Sequence, residues 1–186
     1  MAVTQNALTE DAPFVQLLRS APLVVRARVE RVVGRDGTMG RAEVPAIYSD
    51  VSLTVLSQVG NPTPGRSLTV TLLGGEVGDR AHHVSGQVQL SKNDEFIGFI
   101  DPNAMPHPFI GGTGGVFRII DGSVSSFDGR DVVQVTKDGF VLAPRPVESG
   151  RLPVGQGTAT GLQDRAEGPA LSANAVLEAL ELLRAR

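Results

Sequence analysis

The chain contains no cysteine and no tryptophan, and only one tyrosine and seven phenylalanines. Without thiols there are no disulfide staples, no cysteine nucleophile and no thiolate metal site. With so few aromatic rings, the stacking platforms used by sugar-binding and single-strand nucleic-acid proteins have little to be built from. Basic residues are also short: 17 Lys and Arg against 20 Asp and Glu give a formal net charge of −3. A phosphate-backbone partner calls for a basic face, so nucleic acid is not expected as a ligand. No apolar run approaches the ~18 residues of a membrane span. The start, M-A-V-T-Q-N-A-L-T-E-D, has neither the basic beginning nor the apolar segment of a signal peptide. It suits a cytosolic chain or the mature form of an exported one.

What the chain has in excess is turn-forming residues, 22 glycines and 12 prolines among 186 positions, more than average usage supplies. The length suits one domain with added terminal elements. Leu23 to Val33 alternates, with Leu23, Val25, Ala27, Val29 and Val33 on one side and Arg26, Arg28 and Glu30 on the other, as a half-buried strand requires. Ile47 to Val59 repeats the alternation after a polar loop spanning Gly34–Pro45. Further strands are expected at Leu68–Leu72, Glu95–Ile100 and Val116–Ile120, where Gly98 suggests a bulge or a close backbone approach. Asp121-Gly122 marks a hairpin toward Val124, and Val132–Val135 with Phe140–Leu142 suggests one more.

Two helices frame this β-rich middle. Asp11 is placed to cap the first, with Pro13 in its first turn and Phe14, Leu17 and Leu18 on one face. Ser172 is placed to cap the second, whose stripe of Val176, Leu177, Leu180 and Leu183 needs a surface to dock on, either its own sheet or another subunit. The expected organisation is a β-barrel domain with its N-terminal helix over 1–143, a Gly/Pro-rich arm over 144–169, and a C-terminal amphipathic helix over 170–186.

Chemistry-bearing motifs are sparse. His82 and His83 are adjacent, so a strand would turn them to opposite faces, whereas a loop would let both meet one ion together with Glu76 and Asp79. Those four are the candidate metal ligands, with the distant His107 as a further nitrogen donor. Gly74-Gly75-Glu76-Val77-Gly78 and Gly111-Gly112-Thr113-Gly114-Gly115 have the composition of phosphate loops. The second leads into a strand, however, and neither matches a Walker or dinucleotide pattern. No G-x-S-x-G elbow surrounds Ser85, and Glu76 with Glu95 is one carboxylate pair among many. Arg26, Arg28 and Arg31 form either a stripe for an acidic partner or cross-strand pairs with Asp50 and its neighbours. No cofactor signature is present.

The order of strand motifs resembles a family of exported bacterial domains. The resemblance rests on Ala21-Pro22-Leu23-Val24-Val25-Arg26-Ala27-Arg28-Val29, Tyr48-Ser49-Asp50-Val51-Ser52-Leu53-Thr54-Val55, Leu68 to Gly78, Glu95 to Ile100, and Gly115-Val116-Phe117-Arg118-Ile119. It covers about half the chain and implies a mainly β, OB-like closed barrel of five or six strands, similar to the tissue-inhibitor and netrin modules. It implies export to the periplasm or beyond and carries no established activity. The N-terminal cysteine with which the inhibitors chelate a metal is missing, so no functional residue transfers. The sequence thus points to a non-enzymatic module that binds a protein or assembles with itself through residues 144–186. The alternative is a metal-assisted hydrolase or small-ligand-binding barrel built on the His82/His83 loop.

Overall fold

A computed structural model describes residues 12–41, 43–60, 65–144, 163–164 and 168–185. Its centre is a six-stranded antiparallel sheet in the order β3-β2-β1-β6-β7-β8. These strands are β1 (Leu23–Met39), β2 (Val44–Gln58), β3 (Ser67–Leu73), β6 (Glu95–Ile100), β7 (Val116–Ile120) and β8 (Ser123–Ser126). Between β3 and β6 lies a small hairpin of β4 (Gly75–Val77) and β5 (Arg80–His82). A second sheet sets β9 (Val132–Thr136) beside β10 (Gly139–Leu142), with β11 (Gln163–Asp164) parallel to β10. Helix α1 spans Pro13–Ser20 and α2 spans Ala173–Arg184. Among the described residues no helix is long and apolar enough to cross a membrane.

Because successive strand residues face opposite ways, the sheet feeds two cores. On one face Val24, Ile97, Phe99, Phe117 and Val124 meet Phe14 and Leu18 of α1, Phe140 and Leu142 of β10, and Val176, Leu177 and Leu180 of α2. Phe140 is the centre of this core, 4.0 Å from the Phe117 ring and edge-on to Phe14 at 5.3 Å. On the other face Val25, Ala27, Val29, Val51, Leu53, Val70, Leu72, Phe96 and Val116 form the second core, with Val88 and Leu90 inserted from the β5–β6 connection. Phe96 and Ile97 therefore each lie in a core, on opposite faces. Gly98 stays in register with both neighbouring strands. A Cβ there would lie 2.9 Å from the Phe96 ring, so close approach is the reason for glycine. The register shifts fall between β1 and β2 instead.

Two expectations change, and one open alternative is decided. First, the loop expected over Gly34–Pro45 is mostly strand: β1 and β2 continue as a paired ribbon to Met39 and Val44, turning through Gly40 and Glu43, both at positive φ. Neither face of this outer ribbon is fully buried, so its sequence shows no apolar alternation. Second, among the described residues no hydrogen-bonded ladder closes into the expected barrel. The outer edge of β8 is taken by the segment entering α2: Val124 N–H donates to Leu171 O (2.9 Å) and Ala173 N–H to Gly122 O (3.1 Å). With that edge occupied, β3 has no route to it. Third, the apolar stripe of α2 is satisfied within the chain. Val176 and Leu180 are fully buried, Ser172 caps the helix by accepting from Ala175 N–H, and Arg184 donates to Val59 O at the other end (3.2 Å).

Other expectations hold in detail. Asp121 and Gly122 both take positive φ, as the tight hairpin between β7 and β8 demands. Pro13 opens α1; Asp11, expected to cap it, lies outside the described residues, as does most of the 144–169 arm.

Candidate functional site

Among the described residues the ladder stops short of closure, and the segment 83–92 covers the open end of the second core. Gln87, Val88, Gln89, Leu90 and Ser91 alternate like a strand, burying Val88 and Leu90 and exposing Gln89 and Ser91. One side of this segment faces Leu72 and Leu73 across a cavity. On the other, the Arg118 guanidinium of β7 lies over the Phe127 ring, 4.5 Å from its centroid, and reaches to 3.5 Å from Gln89 O. The segment joins the sheet at its end, where Asn93 N–H donates to Val29 O and Val29 N–H to Asp94 O, both at 2.8 Å.

At the open end of the second core this arrangement leaves a cavity of about 590 Å³, within the 300–1,000 Å³ range of small-molecule sites. Its floor is aliphatic: Val51 and Leu72 from the sheet, Val88 and Leu90 from the segment 83–92, with Val32 at the mouth. Its rim carries Glu76, His82, His83, Gln87, Gln89 and Lys92. The β4–β5 hairpin forms one wall, and two glycines let it lie there. A Cβ on Gly34 would fall 1.8 Å from Glu76 O, and one on Gly75, at φ +133°, would fall 2.1 Å from Ser49 Oγ. Ser49 ties the wall down by donating to Gly74 O (2.8 Å).

The sequence-expected residues divide at this cavity. Glu76, His82 and His83 all line it. Asp79 sits in the exposed turn between β4 and β5, and His107 is exposed in the 101–108 connection. Among the described residues no three His, Asp or Glu side chains come together to hold a metal ion. The cause is visible in the backbone. His82 ends β5, paired with Gly75, while His83 has left the ladder and its Nδ1 lies 2.8 Å from the Gln89 side-chain nitrogen. An amide nitrogen donates, so in this amide orientation the ring nitrogen is the acceptor of that contact. Neither histidine is hydrogen-bonded to a serine or a carboxylate among the described residues, so no Ser-His-acid set is assembled.

No family model, curated protein or solved structure matches the chain. The cavity's own geometry therefore carries the functional argument.

Several charges outside the cavity are paired. Arg26 donates to Glu95 (2.6 Å) and to Asn174 of α2, joining sheet to helix. Asp50 accepts from Arg35 (2.8 Å), which also lies over Tyr48, and from Thr71 (2.6 Å). The cross-strand partner of Asp50 is thus Arg35 rather than the Arg26, Arg28 and Arg31 group. Arg80 donates to Asp36 (2.7 Å), and that hydrogen bond, with the charge behind it, raises the Arg80 pKa further above its ordinary value. Sequence reading found the histidines and Glu76 but missed the cavity's floor and Lys92. The signal was present in the Gln87–Ser91 alternation, passed over because no turn-bounded run of strand length surrounds it.

Proposed function

We propose that this chain is a small-molecule-binding protein whose ligand occupies the cavity between the open end of the sheet and the segment 83–92. One observation carries the reading: an aliphatic floor and a polar rim line a half-open cavity of about 590 Å³. An apolar concavity with a few convergent polar groups is the usual form of a ligand site. Protein binding or assembly through the arm and helix of residues 144–186 was the other expectation, and part of its motive was a stripe in need of a surface. That stripe is now buried against α1, β8 and β9. Export, implied by the family resemblance, belongs to this reading as the setting for a carrier or sensor domain.

The test uses a neutral environment-sensitive dye, N-phenyl-1-naphthylamine, titrated into the protein and into Val32→Trp. Val32 lines the cavity yet is 37% exposed, so an indole there fills the mouth without disturbing a core. Saturable dye fluorescence in the parent that is lost in the folded variant supports the proposal. No saturable binding, or equal binding by both proteins, overturns it.

A further inference from the structure

The polar rim says what kind of molecule the cavity takes. Its two formal charges are Lys92 and Glu76. Neither forms an ion pair among the described residues, although arginines on the surrounding strands, Arg26, Arg35 and Arg80, are all matched with carboxylates. The backbone fixes Lys92 in position. It sits in a turn closed by Asp94, whose carboxylate accepts from Ser91 N–H (2.8 Å) and whose N–H donates to Ser91 O (3.0 Å). Asp94 is thereby occupied with holding the turn and does not neutralise the ammonium.

The remaining rim groups carry acceptors as well as donors, and several can donate to an anion. His83, with Nδ1 turned to Gln89, keeps Nε2–H as a donor, and Gln87 and Ser91 add an amide and a hydroxyl. The Ser49 hydroxyl is already spent on Gly74 O. A carboxylate is acceptor-only and suits such a rim. An ammonium would find Glu76 as its only charged acceptor. The floor below is mainly aliphatic, so the rest of the ligand is apolar.

From this we infer that the ligand is an apolar molecule with a single anionic head of carboxylate type, its chain against Val51, Leu72, Val88 and Leu90 and its head held by Lys92. The inference rests on the cavity reading above. At about 30 Å³ per water-sized group, an eight-carbon acid of about ten non-hydrogen atoms fills roughly half of the 590 Å³.

The experiment displaces the neutral dye from the full chain with octanoate, 1-octanol and octylamine, in the parent, Lys92→Met and Glu76→Gln. Octanoate is expected to displace it at about fivefold lower concentration than octanol, the range of a partly exposed ion pair. Lys92→Met should erase that preference while leaving octanol unchanged, and Glu76→Gln should sharpen it. Equal displacement by octanoate and octanol, tighter displacement by octylamine, or a preference that survives Lys92→Met overturns the carboxylate assignment while leaving the cavity as a binding site. Absence of any dye binding overturns the cavity reading itself and this inference with it.

Discussion

Replacing Gly34 by alanine tests the wall of the cavity directly. The new methyl carbon would be placed 1.8 Å from Glu76 O and 3.2 Å from Val77 Cγ2. Real Cβ contacts do not fall below 3.0 Å, so β4 has to retreat from β1 by more than an ångström. The obstacle is backbone, which cannot rotate away as a side chain would. Retreat also strains the Ser49 to Gly74 hydrogen bond that anchors the same wall. Overpacking of this kind costs about 1–3 kcal/mol. In a chain of this length each kcal/mol lowers Tm by about 2–4 °C, so calorimetry should show a fall of about 2–12 °C, accompanied by weaker binding of the neutral dye. Gly168→Ala is the control: its Cβ would meet Val133 at an ordinary 3.7 Å, and its Tm should stay within about 1 °C of the parent. If Gly34→Ala behaves like Gly168→Ala in both measurements, β4 does not rest on β1 and the cavity has no such wall.

The remaining predictions concern the layer that supports the sheet. Phe140→Ala removes the ring at the centre of the aromatic cluster and should cost about 3–5 kcal/mol in urea unfolding; a loss under 1 kcal/mol would mean the cluster is not packed as described. Leu180→Ala, at a fully buried position on α2, should cost about 2–5 kcal/mol at every protein concentration. A Tm that depends on concentration in the parent and not in the variant would instead place that leucine between subunits. Ser172→Ala loses the cap on Ala175 N–H and should cost about 1 kcal/mol, whereas Ser172→Asp should retain most of it. Equal losses in the two variants would show that the cap contributes nothing.

Strand alternation in the sequence located β1, β2 and β3, whereas β6 and β7, buried on both faces, stood out as short apolar runs. The outer ribbon from Gly34 to Met39 was illegible for the opposite reason. Its order comes from main-chain pairing with β2 and from a close contact at Gly34, and neither selects for apolar side chains. Barrel closure was equally hidden, since it turns on which segment reaches the edge of β8 first. Leu171 and Ala173 reach it through main-chain atoms, which no side-chain pattern announces. Within the site, Glu76, His82 and His83 were visible by residue type. The grouping that matters, those three with Lys92 over Val51 and Leu72, depends on how a strand-like stretch covers the open end of the second core.

That arrangement explains why there is a cavity at all. A closed small barrel fills its interior with side chains from its own strands. Here the entry into α2 occupies β8, so the sheet stays open and the second core must be completed by Val84–Ser91. Its alternation supplies two buried aliphatic side chains, Val88 and Leu90. These reach the middle of the sheet, where Val29, Val51 and Phe96 lie, and leave the end beneath Val32 and Gly34 to be walled by the β4–β5 hairpin. That hairpin brings no large apolar side chain into the space; glycines at 74 and 75 bring its backbone close instead. The glycines that a sequence reader assigns to turns thus also set the width of the cavity. Substitution at Gly34 or Gly75 should therefore change binding more than a loss of stability alone would produce.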